Sequence, residues 1–362
     1  MNKTQITTAV LLWLTITVSA QFHTLNYPKI SPKVVESQKL GVTKITIAYS
    51  SPALRGRDVW NDEIPKKGDH IAWRAGANLA TTIEFTTDVK IEGQELKAGI
   101  YAFYVIPDND THTLLFAHNY QQWGSYYLDI EKDISLKVEV NSVSCVKSEQ
   151  LDFEFLNRTE NSLIIGLEWD DKRIPFKIEV DLNKTVIESF RKELRGINTN
   201  RWEAWDDAAR WCLNHDTNLE EALEWVNRSI NGGYNGFSSN KNLANLETKM
   251  NILKKLNRMT EFNSAKEEAK QLHATESKAY DFGGFLLRNN YFQDAYDYSN
   301  SKLKQYPNSW ILQLNKSRSQ YFLGKVKAAI KDMNKTLKLA PNRYHKRLNE
   351  IINEIEAGTY KL

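Results

Sequence analysis

The sequence predicts a two-domain α+β chain, an antiparallel β-sandwich followed by an all-α helical repeat array. Three observations predict it. Between residues 42 and 180, β-branched and aromatic side chains recur at every second position. Near Asp181 the rhythm changes to every third or fourth, and in the last third of the chain like residues stand 34 apart. At 362 residues there is room for two domains of about 150 residues each. A hydrophobic content of 41% beside 26% charge and a net charge of +3 excludes a disordered tail or a membrane bundle and gives nucleic acid no electrostatic footing.

Asn2 and Lys3 precede an apolar run over 9–18, too short for about 30 Å of hydrocarbon but long enough for a signal-peptide core. Val18-Ser19-Ala20 supplies the small residues a signal peptidase accepts, so cleavage is expected after Ala20, leaving Gln21 first. The chain is therefore expected to be periplasmic or secreted, with no transmembrane segment. Cys145 and Cys212, one in each domain, are expected as free thiols. The expected partition is a leader at 1–20, the β domain at 25–180, a linker at 181–200 and the helical domain at 201–362.

In the β domain Ile45, Ile47 and Tyr49 share one face. Further strands are expected at 81–86, 89–94, 100–106, 112–117, 134–140, 151–155, 162–169 and 174–180, separated by turn residues such as Glu92-Gly93 and Asp170-Asp171. The gaps are too short for crossover helices, which excludes a parallel sheet. Beyond residue 200, Trp202, Trp205, Ala209 and Cys212 form one helical stripe. Thr217 to Glu220 read as a capping box, and Gly232-Gly233 as a helix end. Helices follow at 242–257, 262–274, 277–290 and 291–305, with a final capping helix at 344–357.

Ala295 and Ala329, Leu303 and Leu337, and Pro307 and Pro341 are each 34 residues apart, the tetratricopeptide period. Residues 309–342 resemble one whole repeat, with Gly324 at the inter-helix turn; Gly283 is read as its counterpart in the preceding unit. About four helix pairs are expected in a tetratricopeptide-like array. Such arrays present an extended groove, so a protein or peptide partner is expected there. From Ser301 to the end, 13 Lys plus Arg face 4 Asp plus Glu, a local charge of +9 that reads first as a solvated helix face.

Four segments, "SSPALRGRDVW", "IAWRAGANLATTIEF", "IEGQELKAGIYAFYVIP" and "QQWGSYYLDIEKD", together resemble the bacterial envelope family called domain of unknown function 2911, over about 27–180. The resemblance implies an exported all-β domain, frequent in Bacteroidetes-like organisms and sometimes followed by helical repeats. It implies no activity. Pro65 to Trp73 is a little longer here than the family's usual turn.

These segments concentrate polar residues beside indoles: Arg57, Asp58, Trp60, Trp73, Arg74, Asn78, Thr82 and, as a second wall, Trp123. An indole covers apolar C–H faces while amide, carboxylate and guanidinium groups pair with hydroxyls, so an envelope saccharide or a peptide is a candidate ligand. The competing reading makes the tryptophans core plugs and the arginines internal ion-pair partners. His112 and His118 lie about 20 Å apart along one strand, too far for one metal ion. No nucleophile elbow, phosphate loop or zinc motif occurs, so neither cofactor nor metal is expected. The rival to a binding scaffold is a glycan hydrolase using Asp58 and Glu84 as acid and base.

Overall fold

A computed structural model describes residues 28–65 and 72–362. The expected leader and His70 lie outside the described residues. The chain divides into two compact units, meeting at Leu182/Asn183.

The first unit has ten strands among the described residues: β1 (Lys33–Leu40), β2 (Thr43–Ser50), β3 (Thr81–Phe85), β4 (Val89–Ile91), β5 (Gln94–Leu96), β6 (Gly99–Asp108), β7 (Thr111–Ala117), β8 (Ile134–Asn141), β9 (Val143–Leu156) and β10 (Ser162–Glu179). They pair antiparallel in a six-stranded sheet, β1-β2-β3-β6-β7-β8, and a four-stranded sheet, β5-β4-β10-β9. Alternation puts Ile45, Ile47, Ile83, Phe103 and Phe116 of one sheet against Phe153, Ile165, Phe176 and Ile178 of the other, all almost fully buried. Phe103 stacks on Phe176 with centroids 5.3 Å apart.

Three strand expectations change. β1 has a weak sequence signal, because Glu36 and Gln38 interrupt its inward face between Val34 and Leu40. The expected strand at 89–94 is a tight hairpin, β4–β5, turning at Glu92 and Gly93, both with positive φ. The expected turn at Asp170-Asp171 is a bulge inside one long strand: Asp170 adopts φ 57° and the pairing with β9 shifts register on either side.

The second unit holds α1 (Leu182–Glu193), α2 (Trp202–Asn214), α3 (Leu219–Asn231), α4 (Leu243–Lys255), α5 (Met259–Gln271), α6 (Glu276–Arg288), α7 (Phe292–Lys302), α8 (Trp310–Phe322), α9 (Val326–Leu339) and α10 (His345–Glu356). Residues 181–200, expected as a linker, carry α1 instead. Its Ile187 joins the helical core and its Phe190 meets Trp211 and Trp225 edge-on, an apolar spacing that reading from Arg201 overlooked. The paired helices are α2/α3, α4/α5, α6/α7 and α8/α9, with α10 closing the run.

Left-handed residues mark the repeat. Asn257 (φ 57°), Asn290 (φ 65°) and Gly324 (φ 74°) follow α4, α6 and α8, spaced 33 and 34 residues apart. The counterpart of Gly324 is thus Asn290, whose side chain tolerates this conformation. Gly283 lies instead inside α6, where a Cβ would stand 2.7 Å from Asn315 Nδ2; its hydrogen lets α6 approach α8. The expected capping box at Thr217 is also replaced. Helix α3 starts at Leu219 behind a left-handed Asn218 that makes no side-chain cap, its Nδ2 donating to Glu221. A true capping box joins Asn242 and Asn245.

Candidate functional site

The structure separates the eight predicted site residues into two groups. Trp73 pairs by backbone with Val105 and points into the core, 7% exposed, stacked on Trp169 at 6.0 Å. Trp60 meets Trp73 edge-on at 5.8 Å and donates from Nε1 to Trp169 O. Arg57 donates to the carbonyls of Leu54 and Ala53 and stands 3.4 Å from Glu63. Asp58 accepts from the backbone and side-chain amides of Asn61, starting the wide turn Val59–Glu63. These four build the end of the sandwich.

Arg74, Asn78, Thr82 and Trp123 gather on the other side, at the outer face of the six-stranded sheet. Period two decides this: Trp73 and Ala75 join the inner core, while Ala72 joins the outer cluster with Ala80, Ala102, Tyr104 and Leu115. Arg74 donates to Asn78 O at 2.5 Å. A Cβ on Gly124 would lie 3.0 Å from the Arg74 guanidinium and 3.2 Å from the Tyr126 ring, so these groups pack tightly around that backbone. Leu79 bridges Trp123, Ala80 N–H donates to Gln122 O, and Tyr104 OH donates to Gly124 O. The segment 119–128 is pinned as a wall standing on the sheet.

Between this wall and the uncovered strands runs a groove of about 410 Å³, lined by Lys33, Ala48, Ser50, Leu79, Ala80, Thr82, Ile100, Tyr120, Gln121 and Gln122, with Tyr49 beneath. Its floor is low because Ala48, Thr82 and Ala102 are paired neighbours across β2, β3 and β6. Gln122 is 7% exposed; its Nε2 donates to Asn119 O, which fixes the amide's orientation, and its Oε1 has no donor. Trp123, Tyr126 and Tyr127 expose most of their rings. Sequence reasoning missed Gln121, Gln122, Tyr120 and Lys33; "QQW" beside an exposed aromatic run was the available signal.

The proposed acid–base pair fares differently. Asp58 is held by Asn61, Glu84 lies on the outer face of β3, and neither lines the groove. The carboxylates that do meet are Glu36 and Asp152, each 2.5 Å from the Tyr49 hydroxyl, whose one proton is donated to either of them. Burial, with Asp152 close by, holds the Glu36 carboxyl above its ordinary range. With Tyr49 wedged between them the pair clamps β1 and β2 to β9 and leaves no space for a substrate.

His112 is fully buried beside Trp60, with neither ring nitrogen partnered. Burial, reinforced by Lys172, pushes its pKa down to about 4. Among the described residues no group of three or more His, Cys, Asp or Glu side chains is placed to hold a metal ion. Cys145 and Cys212 are free thiols, and burial raises Cys212 to about 11, which leaves it unreactive. No described helix is long and apolar enough to cross a membrane.

In the helical unit the first helices of three successive hairpins share a polar face. Glu247 of α4 stands among Arg210 of α2 and Lys278, Asp281 and Arg288 of α6. Burial pushes the Glu247 carboxyl up to about 7 against the pull of Arg288. Some cations of the basic tail are engaged within the unit: Lys316 pairs with Asp332, Arg347 with Glu350 and Glu354, and Arg318 lies over Tyr360.

Residues 31–178 match a family described as "Protein of unknown function (DUF2911)". No curated protein matches the chain. Two solved structures of MamA, one of residues 41 to the end from Desulfovibrio magneticus RS-1 and one an RS-1 double mutant, are similar at 15% identity. Each covers 44% of this chain and 97% of its own, with a TM-score of 0.28. So low a score leaves the helical unit to be read from its own residues.

Proposed function

We propose that the chain is an exported binding scaffold whose tetratricopeptide-like helical unit docks an extended segment of a protein partner. The observation that carries this reading is the polar face shared by α2, α4 and α6. Arg210, Lys278 and Arg288 are exposed there around the half-buried Glu247, which gives one continuous surface contributed by three hairpins. With Arg210 paired to Asp206, Lys278 and Arg288 are the cations on this face that favour a partner segment with acidic side chains or a free carboxylate. The 33- and 34-residue spacing of Asn257, Asn290 and Gly324 supports the repeat reading.

A peptide array probed with the full chain tests it. Extended acidic peptides are expected to be retained, and the double substitution Lys278→Glu with Arg288→Glu, both at exposed positions, is expected to weaken them at least about tenfold, or 1.4 kcal/mol. Equal retention by the variant, or no retained peptide, refutes the reading. Export follows from the leader expected at 1–20; amino-terminal sequencing of the secreted protein is expected to start at Gln21. In the β unit the saccharide contact shifts from Trp60 and Trp73 to the groove beside Thr82 and Trp123. The unmatched placement of Asp58 and Glu84 favours binding over hydrolysis.

A further inference from the structure

We propose that the groove on the outer face of the six-stranded sheet binds a saccharide segment bearing an acidic group. This deepens the binding reading of the β unit and is independent of peptide docking by the helices. The lining alternates small or apolar surface with hydrogen-bonding tips: Ala48, Leu79 and Ile100 beside Ser50, Thr82, Gln121 and Tyr120. A sugar ring has the same mixed character, with C–H faces for the apolar floor and hydroxyls for the tips.

Two observations narrow the ligand. Gln122 lines the groove with a buried Oε1 that lacks a donor, a costly state that favours a ligand rich in hydroxyl donors. Lys33 is the one charged residue among the lining residues and makes no ion pair among the described residues. Its ammonium therefore selects a carboxylate or phosphate on the sugar. Trp123, 57% exposed and bridged to Leu79, extends the wall as a stacking platform.

The test is an array of defined neutral, uronic-acid, sialic-acid and phosphate-bearing oligosaccharides probed with the full chain. Acid-bearing glycans are expected to be retained, and the carboxylate and phosphate arms tell which acid Lys33 meets. Lys33→Gln and Trp123→Ala, both at exposed positions, are each expected to weaken retention at least tenfold, and Ala48→Leu to block it by raising the floor. Circular dichroism and thermal midpoints of the variants check that the fold persists. The proposal is overturned if no glycan is retained, if neutral and acidic glycans bind equally, if Lys33→Gln and Ala48→Leu leave binding unchanged, or if an array peptide competes for the groove. If the unaltered chain retains no glycan while peptides still dock, this inference alone is sunk.

Discussion

The two units bury ionisable groups of opposite kind. In the β unit His112 is fully enclosed and kept neutral, whereas in the helical unit Glu247 is half-buried and held above its ordinary range. Acid therefore acts on them in opposite directions. Unfolding releases His112 to an ordinary pKa near 6.5, so below that pH the unfolded chain takes up the proton first. Stability is fully present above about 6.5 and is lost progressively as pH falls toward about 4. Glu247 runs the other way, because the folded state holds its proton up to about 7 while the unfolded chain gives it up near 4.5. Its contribution is present below about 4.5 and is lost as pH rises to about 7.

The largest expected effect breaks the β side of this comparison. His112→Phe is expected to remove an acid-dependent loss of about 3 kcal/mol between pH 6.5 and 4, read by urea unfolding across that range. An unchanged pH slope in the variant refutes the assignment. On the helical side Glu247→Gln is expected to stabilise the unit above pH 7 by about 1 kcal/mol, a figure discounted for partial exposure, with no gain at pH 4. A gain that persists at pH 4 would point to packing rather than charge.

Two adjacent glycines sharpen the contrast within one helix. Gly283→Ala is expected to cost about 1–3 kcal/mol, since its Cβ would press on Asn315 across the α6/α8 contact. Gly284→Ala is expected to gain about 0.5–1 kcal/mol, because its Cβ meets only the mobile end of Arg288 and alanine suits a helix. Thermal midpoints moving the same way for both would contradict this packing. The smallest effect concerns the sandwich end. Asp58→Ala is expected to cost about 1 kcal/mol through the lost turn cap while leaving glycan retention unchanged, as a purely architectural residue should.

Periodicity made the two-unit division and most elements legible, because inward Ile, Phe and Val alternate plainly in β2, β3 and β6. It failed where the inward residue is polar for a tertiary reason. Glu36 faces inward because Tyr49 and Asp152 await it, and nothing in "KVVESQKL" announces those partners. The candidate site was half legible. Residue type nominated Trp60, Trp73 and Trp123 alike, but whether an indole is plug or platform depends on strand parity. Trp73 and Thr82 point to opposite faces, and Trp123 escapes the core on a segment held by Ala80 and Tyr104. The +9 tail was read first as a solvated face, whereas Lys316, Arg347 and Arg318 have partners within the unit that their residue types alone do not announce.

The evenly spaced Asn257, Asn290 and Gly324 give three successive hairpins one inter-helix turn. The links between hairpins are not alike: four residues join α5 to α6 and seven join α7 to α8. Lengthening the array by a copy of residues 276–309 would therefore reuse the turn but require a link matched to α6.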